Sequence, residues 1–305
     1  MNIYRLLLRL YPSAWRARYK EEFLVVLAAH PFSVAEGIDV IRGAFDAYLH
    51  PYLGTTTLPQ PERIQRMLST LRSSLLAIFC AYVSVVLAGL GFQKLTEAPD
   101  LQAVAQTYSL VGISFHLLVL GAVGALVAVL AGGLPIVLAV IRSALVRRQG
   151  GLLLGFAVPL LACSACLGVL FLMKWLAYAG SILLVRGLFF GAPVLTAIIS
   201  AGAVCLVVRR SELTEKQLRL AVLPFVLATL SMALIAVSAL LWGLGLRASA
   251  PQFFAGDNGL TGSSTAGTWL VIVMIMALAT GSAIISLMRG LAARAALRNT
   301  ASCTG

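Results

Sequence analysis

The chain has 305 residues, of which 60% are hydrophobic and only 11% are charged, and its mean hydropathy is +0.96. A soluble domain carries about 25% charged residues, so these charges are too few to cover a soluble surface, and lipid is the expected solvent for most of the chain. The net charge of +12 indicates membrane topology rather than nucleic-acid binding, because no basic cluster with stacking aromatic residues stands out.

Three short helices are predicted at the front of the chain. The first covers 2–10, the second runs from Ser13 to about Ala29, and the capping box Ser33–Glu36 opens the third. A core of this size gives little stability by itself. The module therefore needs a further surface to bury against, which is the inner membrane face, the cytoplasmic loops of the same chain, or a partner protein.

The two longer helices of this module each have an apolar face and a charged face. The apolar face of the second helix carries Trp15, Tyr19, Phe23 and Val26, and that of the third carries Val34, Ile38, Ile41, Phe45 and Tyr48. On the charged faces, acidic and basic residues stand at the helical spacings where ion pairs form. The candidate partner-docking residues are Tyr11, Trp15, Arg18, Tyr19, Glu21, Glu22, Asp39, Arg42 and Asp46.

The module also carries a family resemblance. LLRLYPSAWRARYKEEFLVVL (7–27) and IDVIRGAFDAYLHP (38–51) resemble a cytoplasmic prefix found on several kinds of bacterial multi-pass membrane proteins, including permeases of the macrolide-exporter kind. The resemblance implies a protein of the bacterial inner membrane. It transfers no activity, because the prefix precedes different cores, and the loop 93–108 leaves no room for the large extracytoplasmic domain of those permeases.

Six stretches are apolar over the roughly 20 residues that a helix needs to cross a bilayer. They are 73–92, 110–131, 151–172, 187–208, 220–244 and 268–288. The connecting segments place nineteen of the 23 Lys and Arg residues on one side, and leave Lys94, Lys174, Arg186 and Arg247 on the other. Because cations collect on the cytoplasmic side, this predicts an all-α polytopic bundle of six transmembrane helices with both termini in the cytoplasm.

The predicted domain organisation follows from these spans. Residues 1–50 form the cytoplasmic prefix, 51–72 a linker and juxtamembrane helix, 73–289 the transmembrane domain, and 290–305 a cytoplasmic tail. Two regions depart from the simple pattern. AGGLP at 131–135 predicts a break or kink in a long apolar stretch, and 174–186 reads either as an amphipathic segment on the outer surface or as a charged cavity lining.

Few residues within the spans carry chemistry. Cys163 and Cys166 form a CxxC motif, but it lies in mid-span, where a thiol behaves as a small hydrophobic group. His116 is the intramembrane polar candidate, either as a functional group or as a hydrogen-bonding partner of a neighbouring helix. The spans contain no acidic residue, so neither a metal site nor another cofactor is expected. Small-residue runs at 121–133 and 200–204 indicate close helix contacts, within the chain or in a homo-oligomer.

The expected role is non-enzymatic. We expect an accessory or regulatory protein of the membrane whose prefix docks a cytoplasmic protein or an ATPase. A permease-like transport subunit for a small or lipophilic molecule is the alternative, and a membrane thiol redox protein is a more distant one.

Overall fold

The structure is a computed structural model that describes residues 8–11, 13–28, 34–49, 60–97, 103–104, 106–146, 150–176, 182–211, 215–256, 259 and 264–302. Within these ranges every regular element is a helix. The helices are α1 (Ser13–Ala28), α2 (Val34–Leu49), α3 (Gln60–Thr96), α4 (Ser109–Val146), α5 (Gly150–Leu176), α6 (Ile182–Arg210), α7 (Glu215–Ser249), α8 (Pro251–Ala255) and α9 (Thr265–Ser302).

Five helical segments among the described residues are long and apolar enough to cross a membrane. They are Ile64–Thr96, Ser109–Arg142, Gly187–Arg210, Leu220–Ser249 and Thr265–Ala295. Each coincides with one predicted span. The remaining predicted span, 151–172, falls on α5, whose apolar segment Ala157–Met173 is shorter than the other five.

The chain divides into two compact units, which we describe separately. The first comprises Met1–Leu71 and Met288–Gly305, and the second comprises Arg72–Leu287. In the first unit, α1 and α2 share a small core. Its buried residues are Leu8, Tyr11, Val40, Ala44 and Ala47, and Trp15, Phe23 and Leu24 pack against them.

Both ends of α1 and the start of α2 agree with the sequence prediction, but the exposure of Ile38 does not. α2 begins directly after the predicted cap residue Ser33, which itself lies outside the described residues. Ile38, assigned to the apolar face, is 61% exposed, whereas the core face presents Val40, Ala44 and Ala47. The reason is steric, because small side chains on α2 leave room for the aromatic rings of α1. Ile41, Phe45 and Tyr48 have side chains outside the described set.

The structure has no break at 131–135, because α4 is one continuous helix through Pro135, and the alternative of a kink there stays a prediction. A proline removes one backbone donor, and a transmembrane helix tolerates this where its neighbours support the turn. Here the neighbour is α7. A Cβ built on Gly132 would lie 3.0 Å from Pro224 Cβ and 3.1 Å from Phe225 Cε2.

Segment 174–186 does not form a helix of its own in the part that the structure describes. Its first three residues complete α5, and its last five begin α6. Residues 177–181 and the side chains of Lys174 and Arg186 lie outside the described residues. The two sequence interpretations of those cations therefore remain predictions.

Small residues bring α4 and α7 together in the second unit. A Cβ on Gly121 would stand 2.9 Å from Ile235 Cγ1, and one on Gly124 would stand 3.0 Å from Ser231 Oγ. The close contact predicted for the run 121–133 is therefore confirmed. The other run, 200–204, differs, since a Cβ on Gly202 would meet no atom within 4 Å.

Candidate functional site

Tyr11 occupies the centre of the core between α1 and α2. Its ring stacks on Trp15 with centroids 4.0 Å apart, and it meets Phe23 at 5.6 Å. The hydroxyl end reaches α2 beside Gly43, where an added Cβ would come within 2.6 Å of the phenol oxygen. Burial raises the pKa of Tyr11 above its ordinary value of 10.0.

A recess lies on the outer side of α1. It has a volume of about 320 Å³ and is lined by Trp15, Tyr19, Glu22, Phe23 and Val26. Four of these residues belong to the apolar face that the sequence predicted, and Glu22 adds an exposed carboxylate at the rim. The recess is therefore apolar at its floor and acidic at its edge.

The structure separates the predicted docking residues by exposure. Tyr11 is 4% exposed and belongs to the core, so its side chain is not part of the module's exposed surface. Trp15 and Tyr19 are half-buried at the recess. The exposed residues are Glu21, Glu22, Asp39 and Arg42, whereas the side chains of Arg18 and Asp46 lie outside the described set. Large apolar groups add to this exposed surface, with Val25 72% and Val26 60% exposed.

His116 makes a local contact on α4. Its Nδ1 lies 2.7 Å from the carbonyl oxygen of Gly112, one turn earlier, and its ring packs edge-on against Phe115. The side chain is not covered by the rest of the described chain. It lines neither of the two cavities described below.

The two cysteine pairs have different surroundings. Cys163 and Cys166 lie well inside α5, away from both helix ends, and Cys163 is exposed. Cys80 of α3 and Cys205 of α6 bring their Sγ atoms to 3.6 Å. Sequence spacing could not reveal this second pair, because its members are 125 residues apart. Among the described residues, no three His, Cys, Asp or Glu side chains converge as a metal site would require.

The second unit contains an apolar cavity between four helices. It has a volume of about 140 Å³, and Arg72 is its one charged lining residue. The lining includes Arg72 and Phe79 of α3, Val129 and Gly133 of α4, Val208 of α6, and Phe225 of α7. Arg72 Nη1 donates a long hydrogen bond of 3.4 Å to the carbonyl oxygen of Ser211, just after α6.

A second apolar recess runs between α5 and α6. It has a volume of about 380 Å³, and Arg210 lines it together with Gly155, Gly202, Leu206 and Val207. Gly202 opens this groove because it has no side chain to fill it. Both recesses beside α6 thus combine an apolar wall with one arginine.

The apolar helices define the class of this chain, which is a multi-pass helical membrane protein. Comparison with known protein families, characterised proteins and solved structures finds no match. The case for a particular function rests on the geometry of the chain itself.

Proposed function

We propose that this chain is a non-enzymatic accessory protein of the bacterial cytoplasmic membrane, and that its N-terminal module docks a cytoplasmic protein. The proposal includes six spans with both termini in the cytoplasm. The recess on α1 is the observation that carries the docking part. The resemblance of 7–27 and 38–51 to a cytoplasmic prefix supports the same role and the bacterial setting.

The sixth span in this proposal is α5. Its 27 residues extend about 40 Å at 1.5 Å per residue, which exceeds the roughly 30 Å of a bilayer core. With α5 spanning, the cation-rich segments all fall on one side of the membrane. Without α5, residues 1–72 and the basic C-terminal end would lie on opposite sides, and that sorting would be lost.

The module has the features of a docking surface because Trp15 and Phe23, which pack against its core, also line an open recess. Tyr11 and its neighbours fill the interior, so the exposed Val25, Val26 and Ile38 are not needed to hold α1 and α2 together. Val26 also lines the recess, and an exposed apolar group beside an apolar recess marks a candidate interaction site. Glu22 at the rim selects the partner, which we take to be an amphipathic helix with an apolar anchor beside a lysine or arginine.

A photo-crosslinking group placed at Val26 tests the docking proposal in cells that express the full chain. We expect one discrete adduct with a cytoplasmic protein. Glu22→Arg should reduce its yield about fivefold or more, because one charge contact at such an interface contributes about 1 kcal/mol or more. Excess synthetic peptide with an apolar anchor and flanking lysines should compete for the site.

The matched control is Glu21→Arg, which reverses the neighbouring exposed charge without touching the recess. The adduct yield should stay unchanged in this variant. Equal losses in Glu21→Arg and Glu22→Arg would show a general charge effect and contradict docking in the recess. Labelling of lipid alone at Val26 would instead identify the module as a membrane anchor.

A further inference from the structure

The cavity between α3, α4, α6 and α7 is suited to hydrocarbon. Apart from Arg72, its lining consists of apolar side chains and Gly133. Engineered cavities of about 150 Å³ with such linings stay dry and take up benzene, and this cavity measures about 140 Å³. Leu76, Gly133 and Val137 are half-exposed, so the cavity opens on the bundle surface, where lipid chains lie.

Arg72 lies within the apolar helical segment Ile64–Thr96, about two turns from its first residue. It directly precedes the first predicted span, 73–92, at the end that the proposed orientation places in the cytoplasm. From Arg72 to Phe79, the cavity wall formed by α3 extends about 10 Å into the apolar layer. A ligand that fits this arrangement has an anionic head and an apolar tail.

The end of α6 adds positive charge at the same place. Ser211, which follows α6, contacts Arg72 through its carbonyl oxygen, and the exposed Arg209 and Arg210 complete the helix just before it. Arg210 also lines the neighbouring groove between α5 and α6. The inner leaflet carries the anionic lipids, and each nearby arginine strengthens their attraction.

We propose that this cavity binds an anionic phospholipid, which places a segment of one acyl chain between α3, α4, α6 and α7 and its phosphate on Arg72. A guanidinium offers two parallel N–H groups to a phosphate, which fixes the headgroup in orientation as well as in place. Arg209 and Arg210 favour anionic over zwitterionic headgroups. The proposed orientation explains why the site meets the anionic leaflet, but binding itself is measured on purified protein and does not depend on it.

A purely structural role for Arg72 makes a different prediction. Its guanidinium lies at the C-terminal end of α6, where a cation stabilises the helix dipole and the last carbonyl groups. In that role Arg72→Gln would lower thermal stability equally in all lipids. In the proposed role, Arg72→Gln removes the preference for anionic lipid and the extra stability that this lipid confers.

The experiment measures phospholipid adducts by native mass spectrometry on the purified full chain, with phosphatidylglycerol and phosphatidylcholine as probes. The wild-type chain should retain phosphatidylglycerol in preference. Arg72→Gln should weaken that binding about tenfold, and Arg72→Lys should retain most of it. Gly133→Leu should also weaken it, because a Cβ at this position meets no atom within 4 Å and the side chain would occupy the cavity.

Two matched controls make the result specific. Arg247→Gln removes an exposed arginine at the far end of α7, and Gly168→Leu adds the same side chain at an open position on α5. Both should bind phosphatidylglycerol like the wild type. Wild-type binding by Arg72→Gln or by a folded Gly133→Leu, or equal retention of both lipids by the wild type, would overturn the proposal. The crosslinking experiment at Val26 does not depend on lipid binding. If the lipid proposal fails, the docking proposal can therefore still be tested.

Discussion

Two halves of the second unit pack in different ways. In the tight half, formed by α4, α7 and α9, most of the described glycines lie against a side chain, as Gly121 does with Ile235 and Gly243 with Trp269, and Gly133 and Gly281 are the open exceptions. In the loose half, formed by α5 and α6, Gly168, Gly187, Gly191 and Gly202 face no atom within 4 Å among the described residues, and the exception is Gly155, where a Cβ would collide with Val207.

The exposed side chains show the same difference. Of the most apolar window of α6, 11% is buried, against 33% for α4, 39% for α7 and 28% for α9. A glycine therefore acts as a packing residue only where a partner helix meets it. In the loose half the apolar surface is left to lipid or to another protein surface, and the groove beside Arg210 results from the missing side chains.

Gly243→Ala should have the largest effect on stability. A Cβ there would overlap the indole ring of Trp269, whose Nε1 donates a 2.8 Å hydrogen bond to the carbonyl oxygen of Ala239. Overpacking and the loss of a buried hydrogen bond should together cost about 2–5 kcal/mol of unfolding free energy. Thermal denaturation in one detergent measures it, with Gly281→Ala, at an open position on α9, as the control. Equal stability of the two variants would contradict the close packing of Gly243 against Trp269, and with it the distinction of a tight half.

Gly132→Ala should come next. The new methyl group would press on Pro224 and Phe225 of α7, and a crowded contact of this kind costs about 1–3 kcal/mol. The same denaturation measurement applies, and Gly133→Ala on the adjacent open position is the matched control. A larger loss in Gly133→Ala than in Gly132→Ala would contradict the α4–α7 contact.

Gly43→Ala tests whether the N-terminal module, like the tight half, depends on a glycine for the close approach of a neighbouring side chain. The methyl group would collide with the Tyr11 hydroxyl, at a cost of about 1–2 kcal/mol, because only one oxygen atom is in the way. Adding Tyr11→Phe removes that oxygen and should restore most of the loss. Limited proteolysis of α1 and α2 reports the change, and failure of this double variant to recover would show that the ring is seated elsewhere.

Gly168→Ala and Gly202→Ala should have the smallest effect on stability. Unlike the preceding variants, they should raise it rather than lower it. Alanine fits a helix interior better than glycine by about 0.5–1 kcal/mol, and neither position has a neighbour for the methyl group to strike. Both variants should therefore melt slightly higher than the wild type. A loss of 1 kcal/mol or more at either position would show that a partner surface covers the loose half.

The thiols of Cys80 and Cys205 test how α6 attaches to α3 without altering the folded chain. A membrane-permeant oxidant should join them by taking up two electrons while the thiols release two protons, since the Sγ atoms are 3.6 Å apart. Peptide mapping would detect the disulfide, and Cys80→Ser provides the control. A cross-link of Cys205 with any other cysteine would show that α6 does not pack against α3 at Cys80.

Much of the helical framework could be predicted from the sequence. Windows of about 20 apolar residues located the five long apolar helices, and the cap preference at Ser13 gave the start of α1. These features are local, because they depend on residues within one or two helical turns. The shorter apolar segment of α5 is the case where local hydropathy alone is weakest.

The contacts between helices could not be predicted in the same way. The exposed Ile38 and the buried Ala44 reverse the usual preference, because the ring of Tyr11 needs space on α2. In the sequence, Arg72 is one of many cations that determine the topology. Its position at an apolar cavity is visible only in the fold. Such roles depend on residues far apart in the chain, which no local pattern records.

Impermeant thiol labelling of single cysteines at positions 20 and 298, in an otherwise cysteine-free chain, tests the proposed topology most directly. An even number of spans that includes α5 puts both positions in the cytoplasm, so neither should react in intact cells and both should react once the membrane is opened. Reaction of just one of the two in intact cells would show that the chain crosses the membrane an odd number of times, and would contradict the six-span arrangement.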